Sequence, residues 1–177
     1  AAPAPAPTAG ETTLAVWNME NFTAAATDLA KASLAIRDFL RLPDILATIE
    51  MNSPTALATL ATTVNNDAVA AGLPNPNYQT RIVTPPNPGS QNIGFLVKGD
   101  VTILSATQQL ASRTFLDPTD NTSDVTFDRP PLVLEAQATR AGKTIQFTVI
   151  GNHLLSLLDI DNENPSGFAT VAARRRT

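Results

Sequence analysis

The chain has 177 residues, is 43% hydrophobic and 16% charged, carries a formal net charge of −4 and contains no cysteine. This length and apolar content suit one folded domain and exclude wholesale disorder, while the absence of cysteine excludes disulfides and thiolate metal ligands. The acidic balance offers no general attraction to nucleic acid, so a phosphate ligand would need a local basic group or a bound cation.

Residues 1–11, beginning AAPAPAPTAG, form an Ala/Pro-rich linker, stiff and with nothing to contribute to a core. The stretch resembles what remains after cleavage at a small-residue site, which points to a secreted or periplasmic location. No run is long enough to span a bilayer. Asn21 and Asn121 lie in Asn-X-Thr/Ser acceptor sites, which matter only where the source glycosylates.

After the linker, TTLAVWN (12–18) reads as a β-strand ending in polar residues. TDLAKASLAIRDFL (27–40) has helical apolar spacing behind a Thr or Asp cap. PDILATIE (43–50) reads as a buried strand closing on a carboxylate. In 53–71, Ser53 is a predicted N-cap and Pro54 the first helical residue, with Leu57, Leu60, Ala61 and Val64 on one face.

The pattern then becomes mostly β. YQTRIV, NIGFLVK, DVTILSATQQL, PLVLEAQATR and KTIQFTVIGN are predicted strands, with a tight Ala141-Gly142 hairpin between the last two. Ile145, Phe147 and Val149 alternate with polar residues and predict one buried face. LLDIDNENPSG reads as a polar loop, and a helix capped by Ser166 is predicted to begin at Gly167 and run to three closing arginines.

Polar residues gather at three strand ends: WNMEN, TIE and GNH. Sheets hold such ends rigidly, so Asn18, Glu50 and His153 are candidates to converge. Each has a plainer reading: Asn18 as a turn former, Glu50 as a solvated strand end, and His153, the sole histidine, as a packing or surface residue. Glu20 reads as a neighbour of the site or a surface group. In FDRPPL, Pro130 and Pro131 fix the approach to a strand, and Arg129 is expected to pair with a carboxylate.

The segments LAVWNMENF, PDILATIEMNSPTAL, NIGFLVKGDVTIL, FDRPPLVLEAQ and FTVIGNHLLS, in this order, resemble the endonuclease/exonuclease/phosphatase superfamily, deoxyribonuclease I-like and of secreted bacterial type. The resemblance runs over residues 12–177 and implies the N-terminal half of a four-layer α/β sandwich, a mixed β-sheet with covering helices whose inner face is left open. It also implies a metal-dependent phosphoesterase, foremost a nuclease, with a lipid or sugar phosphate as the next substrate. Glu50 would match the family's cation-binding glutamate, with Mg²⁺ or Mn²⁺ as the suited ion, and Asn18 the asparagine that helps place metal and phosphate. His153 would match the histidine on the scissile phosphate, with Asn152 as a second donor.

The chain also departs from the family. Ile49 stands where a polar residue often precedes the glutamate, and Leu155 and Leu157 flank Ser156 where a basic residue is common. The family's later Asp-X-Asn and Asp-His segments do not occur, so a second polypeptide or a missing C-terminal half is expected to complete the fold. The alternative reading is a non-catalytic binding or assembly protein that retains the sheet.

Overall fold

The computed structural model describes residues 2–84, 91–116, 121–127 and 129–154. Strand β1 (Leu14–Phe22) leads to helix α1 (Ala26–Leu34), which continues as a five-residue π-helical stretch, Ala35–Phe39. Strand β2 (Ile45–Met51) and helix α2 (Pro54–Ala70) follow. Strands β3 (Gln79–Ile82), β4 (Asn92–Val97) and β5 (Val101–Gln108) come next, then the short β6 (Thr114–Leu116) and β7 (Ser123–Val125). A long hairpin, β8 (Leu132–Arg140) and β9 (Lys143–Gly151), closes the described part. The polar loop and closing helix expected after residue 154 lie outside the described residues.

The fold is α/β. A mixed four-stranded sheet runs in the order β1-β2-β4-β3, with β1 and β2 parallel and the other pairs antiparallel. A three-stranded antiparallel sheet runs β5-β8-β9, and β6 and β7 form a separate ribbon.

Alternation along β2 and β4 explains the layering. Leu46, Met51 and Leu96 face the helices and pack with Ile36, Leu57, Leu60 and Val64. Ile45, Ala47, Ile49, Ile93, Phe95 and Val97 face the other way, against Leu132, Leu134, Ala136 and Ala138 of β8. The inner face of the mixed sheet is therefore covered by a second sheet from the same chain, where the sequence suggested an open face. Only its margin is bare, where Leu14 and Val16 of edge strand β1 are 58% and 71% exposed.

Local chemistry explains the helices. Ser53 Oγ accepts from the Ala56 amide at 3.1 Å, and Pro54 occupies the first turn, as its spacing predicts. Helix α1 differs from expectation: it starts at Ala26 after an Ala25 cap that makes no side-chain bond, which puts Thr27 and Asp28 inside the first turn. Asp28 there still complements the helix dipole. Ser33 Oγ lies 2.6 Å from Asp67 Oδ2 and ties α1 to α2.

At the edge formed by the start of β2, Asp44 is nearly buried and fully engaged. Its Oδ2 accepts from the Thr13 amide at 2.8 Å and hydroxyl at 3.1 Å, while Oδ1 lies 3.4 Å from Lys98 Nζ and 3.1 Å from Arg140 Nη2. Arg140 also reaches Asp100 at 3.2 Å, so one ionic cluster joins the two sheets.

Candidate functional site

The opposite edge carries the strand ends singled out in the sequence. On β1, Ala15, Trp17, Met19 and Phe22 point to the helix layer. Asn18, like Leu14 and Val16, therefore projects from the other face. Beyond it, Glu20 and Asn21 both take left-handed backbone, with φ of 51° and 58°. The Asn18 side chain holds this reversal, since its Oδ1 accepts from the Glu20 amide at 2.9 Å.

Strand β2 ends in a similar device. Glu50 has φ of 65°, a conformation that costs a non-glycine residue about 1–2 kcal/mol. The register shifts there, so Met51 rather than Glu50 returns to the helix-facing core. The irregularity turns the Glu50 carboxylate out of the core at the strand end. Asn92 clamps it: buried at the start of β4, it donates from Nδ2 to the carbonyls of Met51 and Asn52, both at 3.0 Å.

His153 arrives from the second sheet. Gly151 ends β9 where a Cβ would lie only 2.6 Å from Ile93 Cγ2 and 3.3 Å from the Phe95 ring. The missing side chain lets the end of β9 descend onto β4, which carries residues 152–153 to the end of β2. Glycine before Asn-His is thus a packing requirement of the site.

The three elements meet. Asn18 Nδ2 donates to Glu50 Oε1 at 2.9 Å, and His153 Nε2 lies 3.3 Å from that same oxygen. The Glu50 and His153 side chains are 18% and 13% exposed, so the pair is half-sheltered yet reachable from solvent. Asn152 is exposed beside them.

Arg129 joins from the segment before β8, with Nη1 at 2.7 Å from Nε2 and 3.0 Å from Nδ1 of the histidine. Among the described residues its partner is the imidazole, where the sequence suggested a carboxylate. A guanidinium only donates, so the ring nitrogen that receives it is unprotonated. Burial, then Arg129, lowers the His153 pKa below its ordinary value; Glu50 and the Gln91 backbone oppose this. Arg129, Gln91 and Asn92 were not identifiable as site residues from the sequence, although Arg129 and Asn92 stand in two of the five segments that carry the family resemblance.

The donor set bears on a cation. Among the described residues no group of three or more His, Cys, Asp and Glu side chains could hold a metal ion. Among the described residues the site offers one hard oxygen donor with a full charge, Glu50. Because Asn18 Oδ1 is identified by the amide it accepts, Nδ2 must be the atom facing Glu50, so Asn18 orients the carboxylate. One carboxylate suits an ion that keeps most of its waters, such as Mg²⁺.

No family model matches the sequence, and neither does any curated protein. Solved structures do match. Zebrafish (D. rerio) TDP2, complexed with a single-strand DNA product, is 19% identical with a TM-score of 0.43, and the match covers 86% of this chain and 49% of that one. Truncated Caenorhabditis elegans TDP2 is 14% identical with a TM-score of 0.44, covering 82% and 47%. This chain spans just under half the length of these structures.

Proposed function

We propose that this chain is part of an exported, Mg²⁺- or Mn²⁺-dependent phosphodiesterase acting on nucleic acid, and that a further polypeptide segment completes it. The observation that carries the reading is the meeting of Asn18, Glu50, Arg129 and His153, four polar residues from four separate segments, at one sheet edge. They divide into a cation side, Glu50 oriented by Asn18, and an anion side, Arg129 with His153 and the exposed amide of Asn152.

Attack of water on a phosphodiester raises negative charge on the phosphate oxygens, and positioned donors stabilise that charge where it develops. Arg129 supplies a permanent positive charge there. His153, neutral near pH 7 through its lowered pKa, can donate one N–H toward the phosphate or leaving oxygen. A divalent ion, when bound at Glu50, would add charge neutralisation. Attack also needs a base for the water's proton, and His153 is the only imidazole in the chain. The completing segment is proposed to supply that base. The bare apolar margin on β1, Leu14 and Val16, and the 55% exposed Ile145 of β9 support a docking face for it.

Plasmid cleavage with Mg²⁺ tests the reading. The 177-residue chain should cut no faster than its His153→Ala variant. Joined to or mixed with its complementing segment, it should gain a metal-dependent rate that His153→Ala and Glu50→Gln each abolish. A completed protein that binds DNA and never cuts it would establish the non-catalytic reading instead.

A further inference from the structure

A cleft of about 410 Å³ opens directly beside this site, between the end of β1 and helix α1. Its walls include Trp17, Met19 and Phe22 from the strand and Asp28 and Lys31 from the helix, with Glu20 at the rim. Asn18 belongs to the wall and its side chain also bonds Glu50, so cleft and site meet at this residue on the edge strand. The consecutive left-handed residues Glu20 and Asn21 also line the cleft. Backbone strain of this kind persists where the surrounding structure enforces it, commonly at ligand clamps.

The lining selects among ligands. Its volume lies in the range of small-molecule sites, and it pairs aromatic and apolar walls with a few polar groups. Glu20 and Asp28 outnumber Lys31, which itself lies 3.9 Å from Asp28, so the net charge is negative and repels phosphate. A flat aromatic heterocycle suits it better: the indole offers a stacking surface, and the carboxylates accept from ring and exocyclic N–H groups.

We propose that this cleft is a subsite for the base of a nucleotide ester whose phosphate lies at Glu50, Arg129 and His153. The proposal rests on the phosphodiesterase reading for the phosphate and on the cleft alone for the base. It makes Trp17, Asp28 and Glu20 determinants of substrate choice.

Trp17 is the only tryptophan in the chain, so its emission reports directly on the cleft. The full chain would be titrated with deoxyadenosine 5′-monophosphate, with deoxyadenosine, and with deoxyribose 5-phosphate. Saturable quenching by the first two and none by the third is expected, with the nucleotide binding more tightly than the nucleoside. Thr23→Leu, an exposed position on the cleft wall, should weaken base-dependent quenching by about tenfold, within what one lost stacking contact is worth. Equal quenching by the base-free sugar phosphate, or no quenching by either base-containing ligand, would overturn the subsite. Base-dependent quenching that Arg129→Ala leaves unchanged would uphold the cleft and overturn the placement of phosphate beside it.

Discussion

At the scale of single residues, the chain's one imidazole makes the chemistry of the site directly measurable. Burial and then Arg129 disfavour the charged ring of His153, against the opposing pull of Glu50 and the Gln91 backbone. The unfolded chain takes up this proton near its ordinary pKa of 6.5, and the folded chain takes it up only at lower pH. Between those two values the unfolded state binds more protons, so stability is lost as pH falls and is whole above the unfolded pKa. Melting temperatures measured at about pH 7.5 and about pH 5.5 should therefore fall further in the wild type than in His153→Gln, which cannot protonate. An equal fall in both proteins would mean that the ring titrates as if exposed, and that Arg129 does not press on it in solution.

At the scale of elements, the site depends on how far β9 can descend. Gly151→Ala would drive a methyl to 2.6 Å from Ile93 Cγ2, and overpacking of this kind costs about 1–3 kcal/mol. Ile93→Ala removes the obstructing group, so denaturant unfolding of the double variant should show less loss than the two single losses added. Strict additivity would show that β9 does not rest on β4 there. The GNH segment marked this strand end in the sequence, but not why glycine must stand before it. The same division runs through other elements. Helix α2 was legible because Ser53, Pro54 and the Leu57-Leu60-Val64 stripe are local signals. The hairpin was legible from Gly142, which takes left-handed backbone freely at φ of 75°, although Ala141 before it is held there too, at 48°. The irregularity at Glu50 left no such mark, since a non-glycine residue held at φ of 65° is imposed by tertiary contacts, Asn92 among them. Ile145 shows the limit of periodicity: its alternation is regular, yet β9 is an edge strand and leaves it 55% exposed.

At the scale of the molecule, the two sheets are held together by apolar packing between them and by the ionic cluster at the edge away from the candidate site. Asp44 immediately precedes β2 of the first sheet, and Arg140 ends β8 in the second. Their side chains are 9% and 14% exposed, so both charges are largely withdrawn from water. Arg140 Nη2 lies 3.1 Å from Asp44 and 3.2 Å from Asp100 but makes no well-aligned hydrogen bond. The contact is a charge contact more than a directional bond. Removing one partner of such a pair strands the other, which typically costs about 3–5 kcal/mol. Here Lys98 and the two Thr13 donors remain on Asp44, so Arg140→Met should fall at or below the lower end of that range. Asp44→Asn with Arg140→Met removes both charges, and the pair should couple strongly in a double-mutant cycle read by denaturant unfolding. The same variants should leave the surroundings of Trp17 unchanged, because the cluster and the cleft sit at opposite ends of the mixed sheet. Tryptophan emission of the folded Arg140→Met protein matching that of wild type would show that the tie sets the stability of the sheet pair without shaping the site. A shifted emission would show instead that the relative seating of the sheets reaches across to Asn18, Glu50 and His153.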